Sequence, residues 1–255
     1  MTTDVRPVTR SERSEHPPRR TFASIPSVDV AGNALEHGST RDAGVRVGGK
    51  FLRAARWSAE RHAEHQIEVP AIPSVAQVLG LATLVLEDGG SEREAIAAMV
   101  LDALGDDVPT RELRDRFGKK VTALVLACHP DRGTISPGRV PVDTDRWRAR
   151  AEAALERAIA ERDPGALRIR AASVLQEARA LQRELRRNGT IAYVRCPAPP
   201  AEHLGHLREL VTVLTRRRPR TPITEELRGV AGDIERLSEM ETATIAWRVT
   251  RAGAA

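Results

Sequence analysis

Cysteine is nearly missing from this sequence. Its 255 residues hold two, Cys128 and Cys196, with no CxxC spacing. That excludes a disulfide framework and a cysteine zinc site, and it suits a reducing cytoplasm. Aromatics are equally scarce, with three Trp, three Phe and one Tyr. A base-stacking platform for single-stranded nucleic acid would need more. Long apolar runs are absent too: the longest, at 79–86 and 121–128, fall far short of a membrane span. No apolar h-region follows Met1, because residues 2–20 are polar and rich in Pro and Arg. The expectation is a cytoplasmic protein with no membrane partner. Lysine is the last shortage. Of 40 basic residues just Lys50, Lys119 and Lys120 are lysine, and 35 acidic residues leave a net charge of +5. Such an arginine bias reads as coding composition. The acids are interleaved with the bases as on solvated helix faces, so no specific nucleic-acid partner is expected.

What is present is helical text. Hydrophobic residues make up 41% of the chain, enough for a sizeable core. Residues 1–47 mix Pro, Ser, Thr, Gly and Arg without a sustained period, and read as a disordered N-terminal tail. From 48 to 240 helical patterns follow one another, and 241–255 reads as a C-terminal tail. Phe51, Leu52, Ala55 and Ala59 mark the stripe of a first helix. Residues 74–87 are almost wholly apolar and predict a buried helix, ended by Asp88-Gly-Gly90. Ser91-Glu-Arg-Glu94 is a capping box, and Thr110 is placed to cap a further helix. Asp163-Pro164 predicts N-cap and N1 of a long helix that ends at Asn188-Gly189. No strict alternation exceeds four residues. The prediction is an all-α domain of about eight helices with no sheet.

Several blocks, in order and at matching spacing, carry a resemblance. They are Ile72-Pro-Ser-Val-Ala-Gln77, Leu84-Val-Leu-Glu-Asp-Gly-Gly90, Ala95-Ile-Ala-Ala-Met-Val-Leu-Asp-Ala-Leu-Gly-Asp106, Arg116-Phe-Gly118 and Ala172-Ser-Val-Leu-Gln-Glu-Ala178. The chain from Phe51 to about Leu237 resembles the HD-type phosphohydrolases, in the branch related to the hydrolase half of RelA/SpoT proteins. Where that family reads I-P-Y-L-x-H, E-D-G-G, A-I-A-A-L-L-H-D-A-V-E-D and A-D-K-L-x-N-A, the scaffold residues agree and the chemistry departs. The resemblance implies a divalent metal, often manganese, held by His and Asp on several helices to activate water and polarise a phosphoryl oxygen. Carried over by position, the first His is His62 and the second is Gln77. The His of the His-Asp pair is Leu101, its Asp is Asp102, and the last Asp is Ser173. The water-positioning Glu-Asp pair becomes Gly105-Asp106. The phosphate-facing basic positions fall near Ile67 and Glu68, and the Lys and Asn of A-D-K-L-x-N become Val174 and Glu177.

The reading that follows is a catalytically degenerate HD-fold protein, with His62, Asp102 and Asp106 as remnants of a site that holds no metal. His62 and Asp102 would pair across the space a metal once filled. Its role would be to bind a nucleotide or phosphorylated small molecule, or a protein partner through the N-terminal tail, in regulation or structure. Arg179 and Arg150 are the candidate anion contacts, with Arg179 better placed, two residues past Glu177. The alternative is a divergent metal-dependent phosphohydrolase acting on a guanosine polyphosphate or another nucleotide. It would use Mn(II) or a similar ion, with Asp106, Glu177 or His129 as replacement ligands. Two further features read as plain surface: His203 and His206 on one helix face beside Glu202, and the basic run Arg216-Arg-Arg-Pro-Arg220 at a helix end. Cys128-His129 lacks an orienting third group and carries no weight as a nucleophile pair.

Overall fold

The computed structural model describes residues 47–62, 66–68, 71–101, 108–129, 143–196 and 198–252. Contacts divide the chain into Met1–Asp42 and Ala43–Ala255, and every described residue belongs to the second unit. The sequence reading of an N-terminal tail therefore lies outside the described residues. So do Asp102 and Asp106.

Nine α-helices are described: α1 (Gly49–His62), α2 (Ser74–Glu87), α3 (Glu92–Met99), α4 (Thr110–Phe117), α5 (Lys119–Cys128), α6 (Thr144–Ala160), α7 (Pro164–Asn188), α8 (Pro200–Arg217) and α9 (Pro222–Ala252). A 3₁₀ segment, Gly189–Arg195, follows α7. The all-α class holds. Beside the helices stands one short extended pair, β1 (Gln66–Glu68) and β2 (Ala71–Pro73), antiparallel with Ile67 opposite Ile72. Three-residue strands are too short to leave a period-2 signature. Helix α9 continues through Ala252, past the point where the sequence reads as a C-terminal tail.

Helix α7 is the axis of the domain. Its 25 residues pack against α2, α3, α5, α8 and α9. It is buried along most of its length, because Leu167, Ile169, Leu175, Leu181 and Leu185 fall on successive turns between small alanines. The small residues let neighbouring helices approach while the large ones fill the space between them. Asp163 caps it as its sequence predicts, accepting from the N–H groups of Gly165 (2.7 Å) and Ala166 (3.1 Å), with Pro164 at the first position.

The other helix ends show which local signals won. Ser91 caps α3 by accepting from the Glu94 N–H at 3.4 Å. The Glu94 carboxylate does not return the bond, because it pairs with Arg168. The capping box is thus half made. Gly89, at φ 74°, turns the chain after α2, and the Gly90 N–H closes on the Val85 carbonyl at 2.8 Å. A Cβ on Gly90 would sit 2.5 Å from that same oxygen, so glycine is required there. Thr110 is not a cap. It is the first helical residue of α4, behind Pro109, whose side chain makes no capping bond. On α1 the buried stripe is Ala54, Ser58 and His62, with Phe51 and Ala55 against the core, while Leu52 is exposed. The face is rotated from the one the apolar letters suggested, since Ser58 satisfies its hydroxyl on the Met99 carbonyl at 3.2 Å and can be buried.

Candidate functional site

The helices that the resemblance assigns to the site do come together. Helix α1 packs on α2 and α3, and α7 packs on α2 and α3. Three bonds fix their approach. Ser58, one turn before His62, holds the Met99 carbonyl. Gln176, three residues past Ser173, donates from Nε2 to the Gln77 carbonyl at 2.6 Å. His129 Nδ1 lies 3.2 Å from the Leu101 carbonyl. Its Nδ1 is therefore committed to backbone rather than open as a ligand.

His62 is buried at the last turn of α1, and it keeps an interaction partner. Gln77 is half-buried in the first turn of α2. Ser173 is buried on α7, and Glu177, one turn on, is 5% exposed and also partnered. Leu101 differs in kind from all of these. It is 0% exposed and belongs to the main hydrophobic core with Met99, Val100 and Val108. Its side chain offers no donor atom and packs within the hydrophobic core. Among the described residues no group of three His, Cys, Asp or Glu stands close enough to hold a metal ion. The proposed His62–Asp102 pairing lies outside the described residues, since Asp102 is not among them.

The two candidate anion contacts separate. Arg150 sits half-buried on α6 and has a partner. Arg179, on α7, reaches α9, where its Nε and Nη2 donate to the two Glu226 oxygens at 2.7 and 2.6 Å. A fork-to-fork pair of this kind satisfies the guanidinium internally. Its charge is a fastening between helices.

Cys128 is buried, and desolvation pushes its thiol up to about 12. Its Sγ lies 3.5 Å from the Ala166 carbonyl. A thiol so far from ionisation is no nucleophile. Cys196 is likewise pushed up to about 12 by burial.

Two features of the sequence take a different role in the structure. His203 and His206 are buried, at 2% and 7% exposure, not displayed on the surface. His203 lies against the Trp147 ring at 4.4 Å, and His206 meets the same ring edge-on at 5.8 Å. Both nitrogens of His203 and Nε2 of His206 have no hydrogen-bond partner among the described residues. Burial drives both imidazoles down to about 4, so they are neutral at pH 7. The signal was available: His203, His206, Leu207, Leu210 and Leu214 form one helical stripe on α8. The basic run is also internal in purpose. Arg217 donates to the carbonyls of Ile159 (2.5 Å) and Glu161 at the end of α6. Arg218 reaches the Pro164 carbonyl (3.2 Å) and Asp88.

The all-α architecture is of the HD type. The chain belongs to the HD domain family, whose model matches residues 54–194. A solved structure of a metazoan ortholog of SpoT, which hydrolyzes ppGpp and plays a role in starvation responses, is similar in fold. The match covers 73% of this chain and 96% of that one, at a TM-score of 0.50 and 19% identity. No curated protein has a matching sequence. No described helix is long and apolar enough to cross a membrane.

Proposed function

We propose that this HD-fold protein has given up the family's metal-dependent hydrolysis and acts by binding. Its ligand would be a nucleotide-type molecule or a protein partner, in a regulatory or structural role. The observation that carries this reading is Leu101. At the position where the family places an imidazole ligand stands a fully buried leucine, packed among core residues. A divalent ion there would meet hydrocarbon in place of nitrogen, with a neutral amide at Gln77 and a hydroxyl at Ser173. Such a donor set does not fit a hard or borderline cation, whose affinity rests on charged oxygens and imidazoles. The metal's contribution in the family is to acidify water and polarise phosphate, which a leucine at a ligand position does not support.

A second reading has one observation in its favour. Glu177 is a buried carboxylate one turn past Ser173, and with His62 it could form part of a rearranged metal site in a divergent nucleotide phosphohydrolase. One experiment separates the two. The purified chain is incubated with manganese, desalted and analysed for metal, and phosphate release from a guanosine polyphosphate is followed. The binding reading expects no stoichiometric metal and no turnover. Stoichiometric manganese with phosphate release would overturn it in favour of the hydrolase.

A further inference from the structure

We propose that the cleft bordered by the first turns of α1, α3 and α5 is a binding site for a small polyphosphorylated molecule, separate from the family's metal pocket. All three lysines of the chain line this one cleft: Lys50 on α1, and Lys119 and Lys120 on α5. Arg93 of α3 joins them. In a sequence that otherwise uses arginine for its positive charge, this convergence is not spread by composition. Residues 50 and 119 lie far apart in sequence, and the fold alone unites them.

Several arginines elsewhere in the domain are neutralised in ion pairs. Arg148 pairs with Glu202, Arg168 with Asp88 and Glu94, Arg179 with Glu226, and Arg208 with Glu235. Lys50, Arg93, Lys119 and Lys120 are exposed and make no ion pair among the described residues. The acids nearby are already engaged. Glu92 Oε1 accepts from the backbone N–H groups of Gly48 (2.9 Å) and Phe51 (3.2 Å). Glu94 is held by Arg168, and Asp163 by the start of α7. One oxygen of each carboxylate is thus taken up inside the protein, while the ammonium and guanidinium donors of the cleft stay exposed. Each ammonium can donate to phosphoryl oxygens as a compact point charge.

Size and floor complete the case. The cleft holds about 480 Å³ and adjoins a second hollow of about 550 Å³ that shares Ser91, Arg93 and Lys120. These volumes suit one small molecule. The floor is apolar, formed by Ile96, Phe117 and Val121. Phe117 packs edge-on against Trp57 at 5.3 Å. Gly118, at φ 89°, makes the turn that brings Lys119 and Lys120 directly after α4. Helices α1 and α3 carry the cleft at their N-terminal ends, while His62 closes α1 and Leu101 lies two residues past the end of α3. At 1.5 Å per residue that is a separation of about 12 to 18 Å along the helices. The two sites can be tested independently.

Because every ε-amine of the chain lies in the cleft, amine acylation reads the site directly. The full chain in EDTA is labelled with an amine-reactive ester alone, with inorganic tripolyphosphate, or with a nucleoside triphosphate. The rate at Lys50, Lys119 and Lys120 is read by mass spectrometry against the chain's α-amine. Slowing of Lys119 and Lys120 relative to that amine is expected. Titration calorimetry with the same probes should give affinity about ten-fold weaker in Lys119→Gln/Lys120→Gln, a loss of two charge-assisted contacts. Arg216→Gln, an exposed cation outside the cleft, should leave it unchanged. Equal protection by both probes means that the phosphate chain is what is recognised. Protection by the nucleotide alone means that the apolar floor takes the base. Absence of protection by either, or an equal loss in Arg216→Gln, overturns the site. Chelator removes any dependence on the metal pocket, so failure here leaves the reading of Leu101 untouched.

Discussion

Two buried polar clusters in this domain solve the same problem in opposite ways. The Asp88 carboxylate is wholly inaccessible, yet it has three partners. Arg168 Nε donates at 3.1 Å, Arg218 donates from Nη2, and the Ile223 N–H donates at 3.2 Å. The ion pairs and the amide bond tie the end of α2 to α7, to the end of α8 and to the start of α9. His203 and His206 are buried nearly as deeply but have ring nitrogens with no partner among the described residues. They stay by shedding charge and packing as aromatics on Trp147. A buried charge survives when surrounded by donors. A buried titratable group without donors survives only in its neutral form, and it makes the fold sensitive to pH.

The comparison can be broken from either side. The largest effect is expected at Asp88. Asp88→Ala leaves Arg168 and Arg218 without their shared acceptor and should cost about 3 to 5 kcal/mol in urea unfolding. A loss under about 1 kcal/mol would show that the cluster is not the fastening it looks to be. Next comes acid. In the unfolded chain each histidine titrates near its ordinary 6.5, whereas in the fold both sit at about 4. The unfolded state therefore binds more protons between those values. Stability present above about pH 6.5 is lost as pH falls toward 4, by about 3 kcal/mol for one such ring. His203→Phe keeps the aromatic contact and should flatten the stability–pH curve in that window. An unchanged slope would remove His203 as the cause. The smallest effect is expected at Arg179, a half-exposed pair with Glu226. Arg179→Met should cost no more than about 1 kcal/mol, measured by thermal melting, and the loss should shrink at high salt.

Much of the fold was legible because it rests on local chemistry. Asp163-Pro164, Ser91 and Gly89-Gly90 each satisfy or free specific backbone groups within a few residues, and the sequence alone displays that. Errors arose where tertiary partners decided. Ser58 could go inside because Met99 offered a carbonyl, and this turned α1 away from Leu52. Glu94 left its capping role because Arg168 was nearer to hand. His203 and His206 looked like surface because histidine is polar in letters, although their spacing was that of the leucines after them. Gln77 and Ser173 fall on α2 and α7, which pack together, and Leu101 follows the end of α3, which packs on both. The electrostatics of the candidate site were not legible in the sequence. Arg179 is consumed by Glu226, 47 residues away, and the lysine cleft joins segments that no local pattern relates.

The Asp88 junction also sets an order of events during synthesis. Its partners Arg218 and Ile223 lie 130 and 135 residues downstream. At a synthesis rate of roughly 5 to 20 residues per second, the carboxylate waits on the order of ten seconds before its last donors exist. Until then α2 cannot settle against α7 without sealing in a charge that still lacks two of its contacts. Asp88 thus gains its full set of donors only once the end of α8 and the start of α9 have been made, although Arg168 of α7 can meet it earlier.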